Sequence, residues 1–295
     1  FDELSKIRKF RESIPDWMDE LGEKSLGNEL WTKEIAALNQ QAEVILRTNT
    51  LRIPKPQLQS FLAKEEIETE PLKGYPDALK LKERKNVFTT EAFKDGLFEV
   101  QDASSQLVAP YLEVEPGQRV IDACAGAGGK TLHLASMMQN KGQLIALDIY
   151  ESKLKKLKIR ARRNGVHNVE TRVIDSNKVI KKLHNSADRL LLDAPCSGLG
   201  VIKRNPDSKW KLEPEFIDRI MDVQHDILQN YSKMLKKGGQ MVYATCSILP
   251  QENTEQVKKF LASEAGKEFE LVREQNVYAS QSGFDGFYMA LLKKN

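Results

Sequence analysis

Cysteine is scarce, with only Cys124, Cys196 and Cys246 in 295 residues. An odd, small number in a long chain suggests a reducing compartment, and no disulfide framework is expected. Four histidines, His133, His167, His184 and His225, have no ligand spacing, so no metal site is expected. The chain also lacks an apolar run approaching the roughly 20 residues of a membrane span, and no signal-peptide pattern opens it. Internal repeats and low-complexity segments are missing too. Net charge is small, +3, so any affinity for nucleic acid must come from local patches and not from bulk charge. What is present, 40% hydrophobic and 29% charged residues, describes an ordinary folded protein. The length allows about two domains. The expectation is a cytoplasmic monomer. Its first residue is Phe1, which leaves room for sequence upstream.

The first third reads as helices followed by a small α+β module. Apolar residues recur at helical spacing in "LSKIRKFRESIPDWMDELG", broken at Pro15, and in "LGNELWTKEIAALNQQ". "EVILRTNTLRI" alternates like a strand, "KPQLQSFLAKEE" reads as a helix opened by Pro56, and "DALKLKE" is strand-like. "NVFTTEAFKDGLFEVQ" suggests a strand, a short helix and another strand. "QDASSQLVAPYLEVEPGQ" supplies capping residues, an apolar helix face and a Pro116-Gly117 turn, placing the boundary there. We divide the chain into residues 1–108 and 109–295.

From Arg119 strands alternate with helices: "RVIDA", "QLIALD", "ETRVID", "RLLLDAP" and "QMVYATC". This rhythm predicts an α/β, doubly wound, Rossmann-like parallel sheet covered on both faces. Ligands of such sheets sit at the carboxyl ends of the strands. Those ends carry Asp122 to Gly129, Asp148, Asp175, Asp193 to Cys196, and Thr245 to Ser247. "DACAGAGGKT" is a glycine-rich strand-to-helix loop, one residue short of a phosphate-binding P-loop and different from the G-x-G-x-x-G of NAD enzymes. Asp148, about 20 residues on, is placed to receive the two ribose hydroxyls of a nucleoside. A P-loop protein has no need of it. Asp175 is a candidate acceptor for an exocyclic amine such as adenine N6. The reading favoured is a pocket for S-adenosylmethionine (SAM).

"DAPCSG" and "ATCS" bear on the reaction. Carbon 5 of a pyrimidine has no lone pair, so a thiolate must first add to carbon 6 before carbon 5 can attack a methyl group. Cysteine suits that step as nucleophile and leaving group. Asp193 is a candidate to hold or protonate cytosine N3.

The runs "SIPDW", "FEVQDASSQLVAP", "DACAGAGGKT", "LLLDAPCSGLGVIKRNPDSKW", "LKKGGQMVYATCSILPQENTEQV" and "GFDGFY" resemble the RNA (cytosine-5) methyltransferase family, which includes bacterial ribosomal RNA enzymes and nucleolar Nop2/Sun proteins. The resemblance covers the chain from about Ser13 onward. It implies that Cys246 is the nucleophile and that Cys196 helps release the product. It implies SAM contacts by Cys124, Ala125, Gly126, Ala127, Gly128, Gly129 and Lys130, and by Asp148, Asp175 and Asp193. Residue 127 is alanine where the family often has proline. The amino-terminal module is expected to resemble an RNA-recognition domain. Bacterial relatives often carry a further helical domain upstream, for which residues 1–12 are too few. The implied substrate is RNA, nearest to small-subunit ribosomal RNA, with transfer RNA as the alternative.

Other features are weighed individually. Cys124 reads as a small packing residue at the loop. "KLKKLKIRARR" reads as a helix with Leu154, Leu157 and Ala161 inward and a solvated basic face. "KRNPDSKWK" follows the Pro-Cys loop and joins cations to an aromatic, so Lys203, Arg204, Lys209 and Trp210 are candidate RNA contacts.

Overall fold

The computed structural model describes residues 3–295; Phe1, noted above as the first residue, lies outside them. The short first helices end at Arg11, and the helix Asp16–Leu26 starts after Pro15, its extended N-cap. A second helix, Asn28–Leu38, pairs with the first through Met18, Trp31, Ile35 and Leu38. Four strands follow: β1 (Ile45–Thr48), β2 (Thr69–Pro71), β3 (Ala78–Leu81) and β4 (Phe98–Val100). They form an antiparallel sheet in the order β2-β3-β1-β4, with the helix Lys55–Lys64 between β1 and β2. The strand expected at Asn86–Thr89 is a turn, because Thr90 caps the short helix Glu91–Lys94.

The larger sheet has seven strands: β5 (Arg119–Asp122), β6 (Gln143–Asp148), β7 (Val169–Val173), β8 (Ala187–Asp193), β9 (Leu235–Thr245), β10 (Phe269–Val277) and β11 (Phe287–Lys294). Their order is β10-β11-β9-β8-β5-β6-β7. Strands β5 to β9 are parallel, as the alternation predicts, but at one side β11 pairs antiparallel with β9, and β10 antiparallel with β11. The five expected strands are thus parallel, and two further strands, which were not expected from the sequence, make the whole sheet mixed. Successive residues of the central strands face opposite layers. Val120, Leu144, Leu191 and Val242 enter one core, and Ile121, Ile145, Leu190 and Met241 the other. The order reverses at β5, flanked by β6 and β8, which opens a crevice at its carboxyl end.

The amino-terminal helix pair packs on this domain as well as on itself. Its core includes Leu199 and Ile202, which follow Cys196, and Ile248 and Leu249, which follow Cys246. Buried Glu34 accepts hydrogen bonds from the backbone N–H of Ala279 and Ser280, each at 2.8 Å. The cysteine loops are thus buttressed by the first helices of the chain.

Candidate active site

The glycine-rich loop leaves β5 at Asp122 and becomes the helix Gly129–Met137. Gly128 joins them at φ +90°, where any side chain is strained, and a Cβ there would meet Leu157 at 2.6 Å. The loop closes toward β6: Gly126 N–H donates to Asp148 Oδ2 at 2.8 Å, and Tyr150 N–H donates to Oδ1 at 2.8 Å. Each carboxylate oxygen retains a second lone pair for a ligand hydroxyl. A Cβ on Gly126 or Gly129 would meet nothing within 4 Å, so the loop leaves room for a ligand to lie against its backbone. These features fit a nucleoside whose ribose meets Asp148. Asp175 is exposed at the end of β7, where Ser176 Oγ donates to it at 3.0 Å. Cys124 packs beside the apolar layer, and burial drives its thiol pKa well above the ordinary value. That supports its reading as a packing residue.

Three charged groups gather beneath this loop. Lys130 Nζ lies 2.7 Å from Asp193 Oδ2. Burial opposes the ammonium, yet the Asp193 carboxylate, with Cys246 and Asp122 adding, raises its pKa above the ordinary lysine value. Lys130 therefore stays cationic. Asp122 accepts from Thr131 Oγ1 at 2.7 Å, but its Oδ1 is buried without a partner. Burial, opposed by that hydrogen bond and reinforced by Asp193, pushes Asp122 up to about 7.

The two cysteines meet although they come from different strands. Cys196 Sγ and Cys246 Sγ are 3.2 Å apart, and both are free thiols. The hydrogen bond with Cys246, followed by burial, raises Cys196 well above the ordinary thiol value. The protonated form of Cys196 is thus favoured, and the two sulfurs share a hydrogen bond in which either can be the donor. Sequence reasoning missed the residue that brings the loops together, Glu252. Its fully buried carboxylate accepts from Ser197 N–H at 2.7 Å, from the hydroxyls of Ser197 and Ser247, and from Gln224 Nε2 at 3.0 Å. Ser197 and Ser247 each directly follow a cysteine, so one carboxylate clamps both loops. The available signal was an acid six residues after Cys246, in a run that reads as surface charge.

The expected RNA contacts divide. Trp210 is 61% exposed and open to a partner. Lys209, in contrast, is buried, with Nζ donating to Asn39 Oδ1 at 2.8 Å and to the Glu12 carbonyl at 3.2 Å. Arg204 bridges the buried carboxylates of Asp102 and Asp285. Lys203 donates to the Gly283 carbonyl at 3.1 Å. For Lys209 the RNA expectation is corrected, because its ammonium is buried and committed inside the fold; Arg204 is ion-paired to two carboxylates while remaining partly exposed. The basic helix Glu151–Asn164 buries Leu154, Leu157 and Ala161 as expected, but Arg160 and Arg163 also turn inward, onto buried Glu99. Among the described residues no cluster of His, Cys, Asp or Glu is arranged to hold a metal, and no helix is long and apolar enough to cross a membrane.

Comparison with known proteins matches this architecture. Residues 109–293 match the profile described as 16S rRNA methyltransferase RsmB/F, and residues 14–88 match that of the RsmF/B-like ferredoxin-like domain. This chain belongs to the RsmB/F family. Its seven-stranded sheet is the family's Rossmann-like methyltransferase domain, and its four-stranded sheet is the ferredoxin-like module. The chain is 36% identical over 267 residues to ribosomal RNA small subunit methyltransferase B of Proteus mirabilis, over 90% of this chain and 62% of that protein. The crystal structure of PH0851 is similar over 99% of this chain and 68% of that one, with 31% identity and a TM-score of 0.93. A methyltransferase homolog from Pyrococcus horikoshii is similar over 98% of each chain, with 26% identity and a TM-score of 0.85. The chain spans 59–67% of the length of three curated relatives that it matches. RsmB/F proteins are SAM-dependent RNA methyltransferases, and the cradle between Gly126 and Asp148 fits that cofactor.

Proposed function

We propose that this RsmB/F protein methylates carbon 5 of a cytosine in small-subunit ribosomal RNA through a covalent adduct with Cys246. The observation that carries the reading is the pair of free thiols 3.2 Å apart, with Lys130 and Asp193 close by. SAM, when bound, supplies the electrophilic methyl group. The loop Cys124–Lys130 with Asp148 and Asp193 would hold it, and Asp175 would meet the adenine amine.

The chain's own residues account for the other steps. Cys246 adds as a thiolate, its sulfur forming a bond to carbon 6, with the Lys130 ammonium nearby. The ring's π electrons then move toward carbon 5 and the ring nitrogen, and Asp193, 2.7 Å from the Lys130 ammonium, relays a proton from it to N3; that proton returns when the ring double bond is restored. Carbon 5 takes the methyl group and leaves its own proton to be removed. Bonding of Cys246 to carbon 6 also removes the hydrogen bond that contributes most to raising Cys196. Cys196, once its own proton has passed to solvent, can then take the carbon 5 proton as a thiolate. Loss of the carbon 5 proton restores the ring double bond and expels Cys246 as a thiolate.

The test is methylation of unmodified small-subunit ribosomal RNA with methyl-labelled SAM, followed by nucleoside analysis. Label in 5-methylcytidine is expected. Label on an exocyclic nitrogen or a ribose, or on transfer RNA alone, would overturn the proposal.

A further inference from the structure

The cofactor loop is held from behind by two arginines. Arg160, on the helix Glu151–Asn164, donates from Nη1 to the Ala127 carbonyl at 2.7 Å. Its Nη2 donates to Glu99 Oε2 at 2.9 Å. Arg47, fully buried on β1, donates to the Gly129 carbonyl at 2.6 Å and also engages Gln101. Glu99 and Gln101 belong to β4 and the residue following it, on the ferredoxin-like module. The module thus reaches two of the three peptide groups that shape the loop's entry into its helix.

These contacts do more than fill space. A trans peptide is planar, so fixing the carbonyl of Ala127 also fixes the N–H of Gly128, and fixing that of Gly129 fixes the N–H of Lys130. Gly128 is the left-handed joint of the loop, and Lys130 carries the cation beside Asp193. Glu99 is 3% exposed and is surrounded by Arg160, Arg163 and Asn164. Asn49 locks the same junction, donating to the carbonyls of Gly96 at 2.7 Å and Asn164 at 2.9 Å. Glu99 therefore fixes Arg160 in the rotamer that reaches the loop.

We propose that Glu99 and Arg160 are positioning residues for the cofactor, making the ferredoxin-like module a structural part of the SAM site. The proposal rests on the SAM reading of that loop. A single contact separates this role from general support: Arg163 pairs with the same carboxylate but stacks on Phe93 and does not touch the loop. Removing either arginine leaves Glu99 under-paired, yet only Arg160 leaves Ala127 unheld.

The experiment compares Glu99→Gln, Arg160→Met and Arg163→Met in the full chain, using SAM titration by calorimetry, thermal melts, and separate kcat and KM for SAM. Arg160→Met and Glu99→Gln should each weaken SAM binding by roughly tenfold, the loss of one charge-assisted contact, and raise KM for SAM while largely sparing kcat at saturation. Arg163→Met should lower the melting temperature comparably and bind SAM like the parent. Because Glu99 acts through Arg160, the double variant should be no weaker for SAM than Arg160→Met alone. Parent-like SAM affinity in Arg160→Met, or equal weakening in Arg163→Met, would overturn the proposal. If a variant fails to fold, Arg160→Lys decides: it keeps the charge but not the two-ended reach, so it should fold and still bind SAM weakly. A parent chain that does not bind SAM would sink the cofactor reading itself, and that is seen before any variant is made.

Discussion

At the residue scale, the two sulfurs occupy one place and, in the reaction proposed above, differ in what they do there. If Cys246 is the nucleophile, as proposed, Cys246→Ala loses the bond to carbon 6, and neither methylated RNA nor a covalent complex is expected. On the same proposal, Cys196→Ala is expected still to add and methylate but to stall at elimination, leaving protein bonded to RNA through denaturing electrophoresis. A covalent band from Cys246→Ala with none from Cys196→Ala would exchange the roles. Asp122 makes a separate prediction about pH. Its pKa rises from the usual 3.8 to about 7 on folding, so between those values the folded state holds a proton that the unfolded state has lost. That contribution is fully present below about pH 4 and is lost as pH rises through 7, on the order of a few kcal/mol. His133 opposes it: burial lowers its pKa to about 4, so its neutral form favours folding as pH rises from 4 toward 6.5. Asp122→Asn should therefore be more stable than the parent at pH 8, with an advantage that shrinks toward pH 4. Denaturant melts at several pH values test this; a constant difference would count against a protonated Asp122.

Individual elements explain why the cysteine loops are so close. Gly200 N–H donates to the Cys246 carbonyl at 2.9 Å, and the Gly200 carbonyl accepts from Gly286 N–H at 2.7 Å. A Cβ at residue 200 would lie 2.2 Å from the Gly286 carbonyl oxygen and 2.8 Å from that of Cys246. Gly200→Ala must separate the loops, with an expected cost of about 1–3 kcal/mol and a fall in kcat larger than any change in KM for SAM. Unaltered melting temperature and kcat would show that the loops can spread freely. Much of this architecture was legible in the sequence because the central strands are buried on both faces and end in reactive residues. Apolar runs marked β5, β6, β8 and β9, and Asp148, Asp193, Cys196 and Cys246 stood at or just past their ends. Strand β10 was not legible, since seven of its nine residues are exposed and only its backbone pairing marks it as a strand. Glu252 was hidden for another reason. Its partners are serines of two loops that only the folded sheet brings together, whereas its sequence neighbours look like a solvated turn.

For the whole molecule, the same limit separates true surface cations from internal ones. Lys203, Arg204 and Lys209 sit beside an exposed tryptophan and read as an RNA patch, but their partners lie far away in sequence. Arg204 joins Asp102, just after β4, to Asp285, just before β11. It thereby ties the module boundary to the segment that contacts Gly200. Asp285 shows how much this bridge contributes: burial and neighbouring Asp102 push it up to about 6, while Arg204 holds it down. Arg204→Met leaves two buried carboxylates facing each other without their cation. The expected loss is about 3 kcal/mol, at the low end for a broken buried pair because the guanidinium side chain is 31% exposed. The loss should be greatest above pH 6 and partly recover as pH falls and Asp285 takes a proton. RNA affinity of the folded variant should keep the parent's salt slope, whereas Trp210→Ala should weaken RNA binding without flattening that slope. Denaturant melts at pH 5 and pH 8, with RNA titrations at two salt concentrations, distinguish the roles. An Arg204→Met variant as stable as the parent but with a reduced salt slope would return Arg204 to the RNA surface.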